Sequence, residues 1–382
     1  MQPIIKSKLP NVGTTIFTVM SKLAVDHNAL NLSQGFPNFQ ASGELIDLVS
    51  YYMKMGFNQY APMIGIQSLR EVISHKTQAL YNVNYNADTE ITITSGATEA
   101  LYAVISVVVR PGDEVIVFEP AYDSYVPAIE LNGGIPVYIS LAPPNYEINW
   151  QLVKAKISSR TKLIIINTPQ NPACTVFKAD DLKQLAQLVK GTNIFLLGDE
   201  VYEHIIFDGE RHHSLISHPE LQQRSFICGS FGKTFHVTGW KVGYCLAPKE
   251  LSTEFRKIHQ YLTFCTISPV QYALADFLNN SNNYLSVSSF YQQKRDLFLQ
   301  SIQNSRFTFM PSQGSYFQNL CYKNISEEND YDLAVRLTKD IGVASIPVSV
   351  FYNQRNDYKM LRFCFAKDEE TLLLAGERLS KL

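Results

Sequence analysis

The sequence predicts an α/β fold, in which helices cover both faces of a mostly parallel sheet. The first observation is a series of short, continuously apolar segments through the middle of the 382-residue chain, because strands buried on both faces lose the alternation of polar and apolar residues. The second is the helical pattern between those segments. The third is a change of pattern from about residue 283, where charged helices and short strands predict a second, smaller α+β domain.

The elements of the larger domain alternate along the chain. Strands are predicted at 90–94, 114–118, 163–166, 194–197, 225–228 and 242–246. A buried helix is predicted over 97–110, because its apolar residues continue until Pro111-Gly112 ends it. In the smaller domain, helices are predicted at about 291–304, 330–340 and 369–379, and strands at 314–317, 343–347 and 360–365. The larger domain is expected to span 45–282, and the smaller one to combine 1–44 with 283–382.

Composition limits the classes of function. Lys and Arg together number 33 against 35 for Asp and Glu, and the net charge of −2 offers no basic field for a nucleic acid. No apolar run approaches the ~20 residues of a membrane helix, and the first residues lack the apolar core of a signal peptide. The six cysteines contain no CxxC pair, which predicts reduced thiols in a cytoplasmic protein, without a metal site or a disulfide framework.

The most informative motif is Ser230-Phe231-Gly232-Lys233, with Lys241 eight positions later in a loop rich in Gly and Thr. A lone lysine is normally a solvated surface group, but these neighbours predict that Lys233 is partly buried. Burial and nearby cations lower the pKa of a lysine, so that its amine can form an imine with an aldehyde. Lys241 supplies positive charge and Ser230 a hydroxyl for a phosphate. The motif therefore predicts a lysine that holds an aldehyde next to a bound phosphate.

Two further candidates follow predicted strands, at the edge of the sheet where ligands bind. Ser95-Gly96-Ala97-Thr98 joins a strand to a helix, where glycine lets a phosphate approach the backbone and the helix N-terminus offers free N–H groups. Tyr122 follows the next strand and can stack on a flat ring. Each motif also has a purely structural interpretation, an ordinary turn for the first and a packing tyrosine for the second.

Polar groups also follow the later strands. Asn171 can donate its amide to a phenolic oxygen, although a tight Asx-Pro turn explains its loop equally well. Asp199 ends a buried strand, where a carboxylate needs a partner such as a protonated pyridine nitrogen, unless it caps a helix. Tyr202 can reach the hydroxyl of the same ring. Arg362 lies inside an apolar strand and can bind a carboxylate through two bonds, either of a substrate or of an internal partner.

Together, in this order and spacing, the motifs resemble the class I aminotransferases of fold type I, which use pyridoxal 5′-phosphate (PLP). The resemblance runs from about Lys8 to Leu382. The segments 13–17, 31–37 and 58–62 are similar to the branch that contains methionine aminotransferases, kynurenine aminotransferases and glutamine transaminase K. The resemblance implies a large domain with a mostly parallel sheet and a smaller α+β domain.

The resemblance also implies a role for each matched position. Lys233, Asp199 and Tyr122 would be catalytic, with Lys233 holding the cofactor as an imine, Asp199 on its pyridine nitrogen and Tyr122 stacked on its ring. The other cofactor-binding residues would be Gly96, Ala97, Thr98, Asn171, Tyr202, Ser230, Lys241 and Tyr60. The substrate-binding residues would be Arg362, Gly35, Asn171, Phe17 and Phe264. No metal is implied.

A homodimer with shared active sites is implied as well. Tyr60 is expected to reach the phosphate of the partner subunit, and Phe264 the substrate pocket there. The chain departs from the family at the loop around Asn171, where many relatives read Asn-Pro-x-Asn-Pro-Thr-Gly and this chain reads Asn-Thr-Pro-Gln-Asn-Pro-Ala-Cys. Gly232 also replaces a serine of many relatives, which matters little because Ser230 is the hydroxyl expected at the phosphate.

The implied reaction is a ping-pong transamination between an amino acid and a 2-oxo acid. The aromatic pocket candidates, and the lack of a second arginine at a matched position, favour methionine and then aromatic amino acids, histidine or glutamine over aspartate. Two alternatives use the same residues, a β-lyase acting on cysteine conjugates and an enzyme whose main substrate is kynurenine. A regulatory DNA-binding protein would need a basic domain, and a nicotinamide-binding dehydrogenase would need a G-x-G-x-x-G turn at Ser95.

Overall fold

The computed structural model describes residues 5–382, in which helices and strands alternate through most of the central part of the chain. In chain order, the strands are β1 (Leu30–Asn31), β2 (Ile91–Thr94), β3 (Glu114–Glu119), β4 (Ile135–Ser140), β5 (Thr161–Asn167), β6 (Phe195–Asp199), β7 (Ser225–Ser230), β8 (Gly243–Leu246), β9 (Phe317–Cys321), β10 (Val343–Ala344), β11 (Ile346–Pro347) and β12 (Met360–Cys364). The helices are α1 (Ile16–Asp26), α2 (Gly43–Lys54), α3 (Gln67–Tyr81), α4 (Gly96–Val108), α5 (Tyr125–Leu131), α6 (Trp150–Lys156), α7 (Ala179–Val189), α8 (Pro219–Gln222), α9 (Phe231–Thr234), α10 (Lys249–Leu262), α11 (Ser268–Leu278), α12 (Asn282–Leu285), α13 (Val287–Ser301), α14 (Asp330–Arg336) and α15 (Glu369–Leu379).

A seven-stranded sheet forms the centre of the molecule, in the order β2-β8-β7-β6-β5-β3-β4. The neighbours from β7 to β4 pair in parallel, whereas β8 is antiparallel to both β7 and β2. Every residue of β2, β3 and β8 is buried, because helices pack on both faces. The predicted α/β class with a mostly parallel sheet is confirmed.

Most predicted elements lie within a few residues of the observed ones, and the final helix, α15, has the predicted bounds. One strand was missed and another begins later than predicted. The edge strand β4 was not predicted, since it is only partly buried and lacks a continuous apolar run. The strand predicted at 314–317 begins only at Phe317, because Ser315 has a φ of +67°, outside the range of extended backbone.

A three-stranded antiparallel sheet, in the order β11-β12-β9, lies in the C-terminal part of the chain. Met20 and Leu32 share one buried apolar cluster with residues from Val287 to Leu379, including Phe363. This shared core supports the proposed domain division into 45–282 and the two flanking segments, although Tyr202 and its neighbours also enter the cluster. The division stays a prediction.

Two further observations concern membrane-spanning helices and metal sites. Within residues 5–382, no helix combines the length and the apolar character that crossing a membrane requires. In the same part of the chain, no group of three or more His, Cys, Asp and Glu side chains is arranged to hold a metal ion.

Candidate active site

The predicted site residues meet at one edge of the central sheet. Asp199 ends β6 and Ser230 ends β7, while Asn171 follows β5. Because β8 is antiparallel to β7, Lys241, which precedes β8, reaches the same edge. A cavity of about 140 Å³ lies there. Its walls include ten of the predicted residues, Gly96, Ala97, Thr98, Tyr122, Asn171, Asp199, Tyr202, Ser230, Lys233 and Lys241.

A larger cleft of about 770 Å³ adjoins this cavity and shares Tyr122, Asn167 and Asn171 with it. Lys233 and Asp199 border the smaller cavity and not the larger cleft. The chemistry of an amine and a buried carboxylate therefore belongs to the smaller cavity, in spite of its size.

The turn before α4 has the geometry of an anion site. Gly96 begins α4 with a φ of +77°, a conformation that residues with a side chain rarely adopt. A Cβ on Gly96 would lie 3.3 Å from Cε of Lys241 and 3.4 Å from its Nζ. Glycine thus lets the helix N-terminus and the ammonium group approach each other. Free N–H groups and a positive charge consequently border the same end of the cavity.

A chain of buried polar contacts holds this turn. Ser95 donates its backbone N–H to Glu99 at 3.1 Å, and Glu99 lies 2.9 Å from Nδ1 of His259. Nε2 of His259 lies 2.9 Å from the carbonyl oxygen of Met63, and the carbonyl oxygen of His259 accepts the N–H of Phe264 at 3.3 Å. His259, on α10, is fully buried. One residue therefore connects the turn with the segments that carry Tyr60 and Phe264.

Asp199 is the buried carboxylate of the site. Tyr125 donates its hydroxyl proton to Oδ2 of Asp199 at 2.5 Å, and the N–H of Val201 lies 3.5 Å from Oδ1. Burial raises the pKa of Asp199 to about 6, while these bonds and the charge of Lys233 limit the rise. The carboxylate is therefore ionised at neutral pH, and a cationic ring nitrogen is a suitable partner for it.

Lys233 borders the same cavity from α9. Its Nζ donates to the hydroxyl of Tyr316 at 3.0 Å and lies 5.8 Å from the ring centroid of Tyr202. Burial lowers the pKa of Lys233 to about 8; the charges of Lys241 and Arg362 act in the same direction and Asp199 opposes them. A share of the amine is consequently unprotonated near neutral pH, as a nucleophile or a base requires.

Arg362 lies in β12 between aromatic rings. Its guanidinium carbon is 3.9 Å from the ring centroid of Phe317 and 5.4 Å from that of Phe17. Nη1 donates to Oδ1 of Asn171 at 2.5 Å and Nη2 to the carbonyl oxygen of Ser33 at 3.2 Å, whereas the buried Nε has no partner among residues 5–382. Neither acceptor is a carboxylate, so the internal ion pair considered from the sequence does not form. A guanidinium in this state suits the carboxylate of a substrate.

The loop that carries Asn171 is fixed from within. Oδ1 of Asn167, a residue to which sequence analysis gave no role, accepts the N–H of Asn171 at 2.8 Å, and its Nδ2 donates to the carbonyl oxygen of Asp199 at 2.9 Å. Cys174, where the family pattern has glycine, has a φ of +65°. The loop therefore keeps the left-handed conformation without glycine, at a cost of about 1–2 kcal/mol.

Tyr60 and Phe264 do not join the cavity of their own chain. Tyr60 is 84% exposed and Phe264 43% exposed, and their rings meet edge to face with centroids 5.5 Å apart.

Gly35 does approach Lys233, through Tyr316, whose hydroxyl donates to the carbonyl oxygen of Gly35. Tyr125 and Tyr316, like Asn167, were not assigned from the sequence, although both lie in segments that the patterns had marked.

The groups around the cavity fit PLP, the cofactor that the sequence resemblance implies. The N–H groups at the start of α4, with Ser230 and Lys241, suit a phosphate. Asp199 suits a protonated pyridine nitrogen, and the amine of Lys233 suits an aldehyde. Each end of such a molecule thus meets groups of complementary charge or reactivity.

Known proteins resemble the chain over its whole length. A methionine aminotransferase from Escherichia coli (strain K12) is 50% identical over 378 residues, which cover 99% of this chain and 98% of that protein. A kynurenine–oxoglutarate transaminase from Dictyostelium discoideum is 35% identical, with 97% and 94% covered.

Solved structures agree with these relatives. A crystal structure from Escherichia coli, assigned a methionine aminotransferase function, has a TM-score of 0.98 at 50% identity and covers 100% of both chains. N-succinyldiaminopimelate aminotransferase from Mycobacterium tuberculosis has a TM-score of 0.95 at 32% identity, covering 99% of this chain and 100% of that one. The model of the family "Aminotransferase class I and II" matches residues 27–379. The chain therefore belongs to the class I and II aminotransferases, and it is a fold type I aminotransferase that uses PLP.

Proposed function

We propose that this aminotransferase takes the amino group of methionine and passes it, through PLP, to a 2-oxo acid. The observation that carries the proposal is the aromatic wall around Arg362, where the ring centroids of Phe317, Phe17 and Phe351 lie 3.9, 5.4 and 5.4 Å from the guanidinium carbon. Phe317 and Phe351 are buried, whereas Phe17 is partly exposed, so a substrate whose carboxylate is bound by Arg362 would have its side chain near the ring of Phe17. Thioether–aromatic contacts are worth about 0.3–1.5 kcal/mol, and the methionine aminotransferase that is 50% identical supports the same substrate.

In this proposal, Arg362 and Asn171 hold the substrate carboxylate, assisted by the backbone of Gly35. PLP, when bound, supplies the aldehyde that takes up the amino group and a ring that withdraws electrons from Cα. Asp199 keeps a proton on the ring nitrogen. Lys233 would act as the general base, whose amine takes up the proton from Cα of the substrate and holds it for return. Proton transfer by a positioned amine typically contributes about 10²–10⁴-fold to the rate.

The remaining residues position the cofactor. Tyr122 would stack on the pyridine ring, and Asn171 and Tyr202 would bond its phenolic oxygen. The phosphate is held by Gly96, Ala97, Thr98, Ser230 and Lys241 of the same chain. These contacts would fix the ring relative to the amine of Lys233, which lowers the entropic part of the barrier.

The proposed working unit is a homodimer whose subunits exchange Tyr60 and Phe264. Besides these two side chains, exposed apolar residues lie on the same two segments, with Met55 58%, Tyr261 86% and Ile267 47% exposed. Ser268 donates to the carbonyl oxygen of Gln59, so the segments are adjacent. Exposed apolar side chains on adjacent segments are typical of a protein interface. We also propose a cytoplasmic location, because all six cysteines are free thiols.

Kynurenine is the second candidate donor. A 35% identical relative is a kynurenine–oxoglutarate transaminase, and an aromatic side chain suits the same rings. A comparison of kcat/KM for methionine, kynurenine, phenylalanine and aspartate, with one 2-oxo acid as acceptor, tests both candidates. We expect methionine to be among the best donors, aspartate to be at least about 100-fold slower because it meets rings instead of a second cation, and initial rates to follow ping-pong kinetics.

Lys233→Ala serves as the inactive reference, and Lys257→Ala, on the exposed face of α10, as the matched lysine control. Preference for aspartate would contradict the pocket assignment. Near-normal transamination by Lys233→Ala would contradict the mechanism as a whole.

A further inference from the structure

Tyr316 lies between the proposed base and the segment proposed to hold the substrate. Its hydroxyl accepts a hydrogen bond from Nζ of Lys233 at 3.0 Å and donates one to the carbonyl oxygen of Gly35 at 2.5 Å. Tyr316 is fully buried and precedes β9. Ser33, two residues before Gly35, accepts a bond from Arg362. One phenol thus touches the amine on one side and the carboxylate-binding segment on the other.

The direction of the two hydrogen bonds follows from counting protons. A phenol has a single hydroxyl proton, and here the carbonyl oxygen of Gly35, which can only accept, takes it. Toward Lys233, the hydroxyl therefore offers lone pairs alone. It can bind an N–H of the amine but cannot donate into the nitrogen lone pair, which stays free to take up a proton.

The surrounding groups keep this arrangement in place. The ring of Tyr316 packs against Tyr202 and Tyr291, with centroids 5.1 and 5.6 Å apart. At Gly35, an added Cβ would lie 2.6 Å from Cζ of Phe317, so glycine leaves room for that ring beside the segment whose carbonyl accepts from Tyr316. Burial holds the pKa of Tyr316 well above its usual value, and the hydroxyl consequently remains protonated.

We propose that Tyr316 is a positioning residue for the reaction, which fixes Nζ of Lys233 relative to the carboxylate-binding segment through a hydroxyl that acts on the amine only as an acceptor. The inference rests on the proposed roles of Lys233 and Gly35. The substrate carbon that loses its proton is bonded directly to the carboxylate carbon. The distance from the base to the carboxylate site therefore sets the distance over which the proton moves.

The test is Tyr316→Phe compared with Tyr291→Phe. Tyr291 is also fully buried and adjacent to Tyr316, but its hydroxyl bonds Nδ1 of His236 at 2.8 Å and does not bond Lys233. For Tyr316→Phe we expect kcat with methionine to fall by about 10-fold or more while KM changes less than about 2-fold, since the substrate contacts remain. Tyr291→Phe should keep both constants close to those of the wild type.

A second readout does not depend on turnover. The apoprotein captures PLP through the unprotonated amine of Lys233, and the capture rate can be followed by visible absorbance from about pH 6 to about pH 10. A hydroxyl that accepts from the ammonium stabilises the charged form, so its removal should lower the pH midpoint of capture by about 0.5 or more. The midpoint of Tyr291→Phe should stay unchanged. Thermal unfolding of all three proteins measures any general loss of stability.

Wild-type kcat and an unshifted midpoint in Tyr316→Phe would overturn the inference. A lower Tm together with an unshifted midpoint would also overturn it, because Tyr316 would then serve packing alone. In both cases an inactive Lys233→Ala variant leaves the proposed function intact, whereas an active one would refute that function first.

Discussion

Tyr125 donates its hydroxyl proton to Oδ2 of Asp199 at 2.5 Å, and both side chains are buried. The bond opposes burial, which on its own would raise the pKa of the carboxyl group beyond the value of about 6 that it has here. Tyr125 thus helps to keep Asp199 charged, and only a charged Asp199 can hold a proton on a ring nitrogen.

The first prediction concerns this bond. Tyr125→Phe keeps the ring but removes the hydroxyl, so the pKa of Asp199 should rise further. The acidic limb of the pH–activity profile should therefore shift to higher pH. A hydrogen bond to a charged group is worth about 1.5–3 kcal/mol, or about one to two pKa units, which predicts a loss of about 2–15-fold in kcat/KM at neutral pH. The pH profile of kcat/KM measures both effects. Tyr138→Phe, on β4, is the control, and an unshifted acidic limb in Tyr125→Phe would refute the assignment.

The second prediction concerns Arg362. Arg362→Lys keeps the positive charge but removes the planar guanidinium. A lysine ammonium cannot both donate to Asn171 and form two parallel hydrogen bonds to a carboxylate. KM for methionine should rise by about 10–100-fold, with a smaller change in kcat. Steady-state kinetics measure this split. The control is Arg295→Lys, at an arginine paired with Asp208 and Asp296; an equal rise of KM in both variants would contradict the role of Arg362.

The third prediction concerns stability and pH in the apoprotein. The pKa of Lys233 is about 8 in the folded chain against 10.5 for an ordinary lysine, so the unfolded chain binds the proton more tightly. Lys233→Met should therefore be more stable than the wild type by up to about 3 kcal/mol below pH 8, at about 1.4 kcal/mol for each pKa unit. This advantage should shrink as the pH rises from 8 to 10.5.

Urea unfolding of the two apoproteins at several pH values measures that difference. Lys257→Met is the matched control, because the side chain of Lys257 is 64% exposed and should show no such dependence on pH. A stability gain that stays constant between neutral pH and pH 10.5 would show that Lys233 is not held in a desolvated state.

The fourth prediction tests the shared sites. Tyr60→Phe and Lys233→Ala, each inactive or weak alone, are co-expressed with different tags, and the hybrid dimer is isolated. If Tyr60 acts in the partner's site, one site of the hybrid contains both substitutions. The other site contains Lys233 from the Tyr60→Phe subunit and Tyr60 from the Lys233→Ala subunit, and is therefore of wild-type sequence. The hybrid should therefore recover about half of the wild-type activity per dimer. Activity no higher than that of the single variants would mean that each site is built from one chain.

Much of the fold followed from patterns that are local in the sequence. Continuous apolar runs predicted the buried strands, and the polar residues that end them, such as Asp199, lie where parallel strands place ligands. The edge strand β4 escaped prediction because an edge needs less burial and leaves no apolar run. Cys174 likewise adopts a conformation that the sequence, lacking glycine there, left undetermined.

The contacts that sequence patterns did not reveal join distant parts of the chain. Tyr125 and Asp199 are 74 residues apart, and Lys233 and Tyr316 are 83 residues apart. A tyrosine in an apolar segment is ordinarily interpreted as a packing residue, because nothing beside it indicates where its hydroxyl points. Tertiary structure alone decides which of the 21 tyrosines of the chain face the amine or the carboxylate.

His259 gives the proposed dimer a property that no single site possesses. The same residue contacts Glu99, which holds the turn before α4, Met63 near Tyr60, and the N–H of Phe264. In the proposed dimer, a cofactor bound at this turn would therefore also favour the positions of the two aromatic side chains, which we propose to serve the neighbouring subunit. Because such linkage is reciprocal, association of the subunits would tighten cofactor binding by the same factor. Loss of the cofactor should accordingly favour dissociation of the dimer, and dissociation should favour loss of the cofactor.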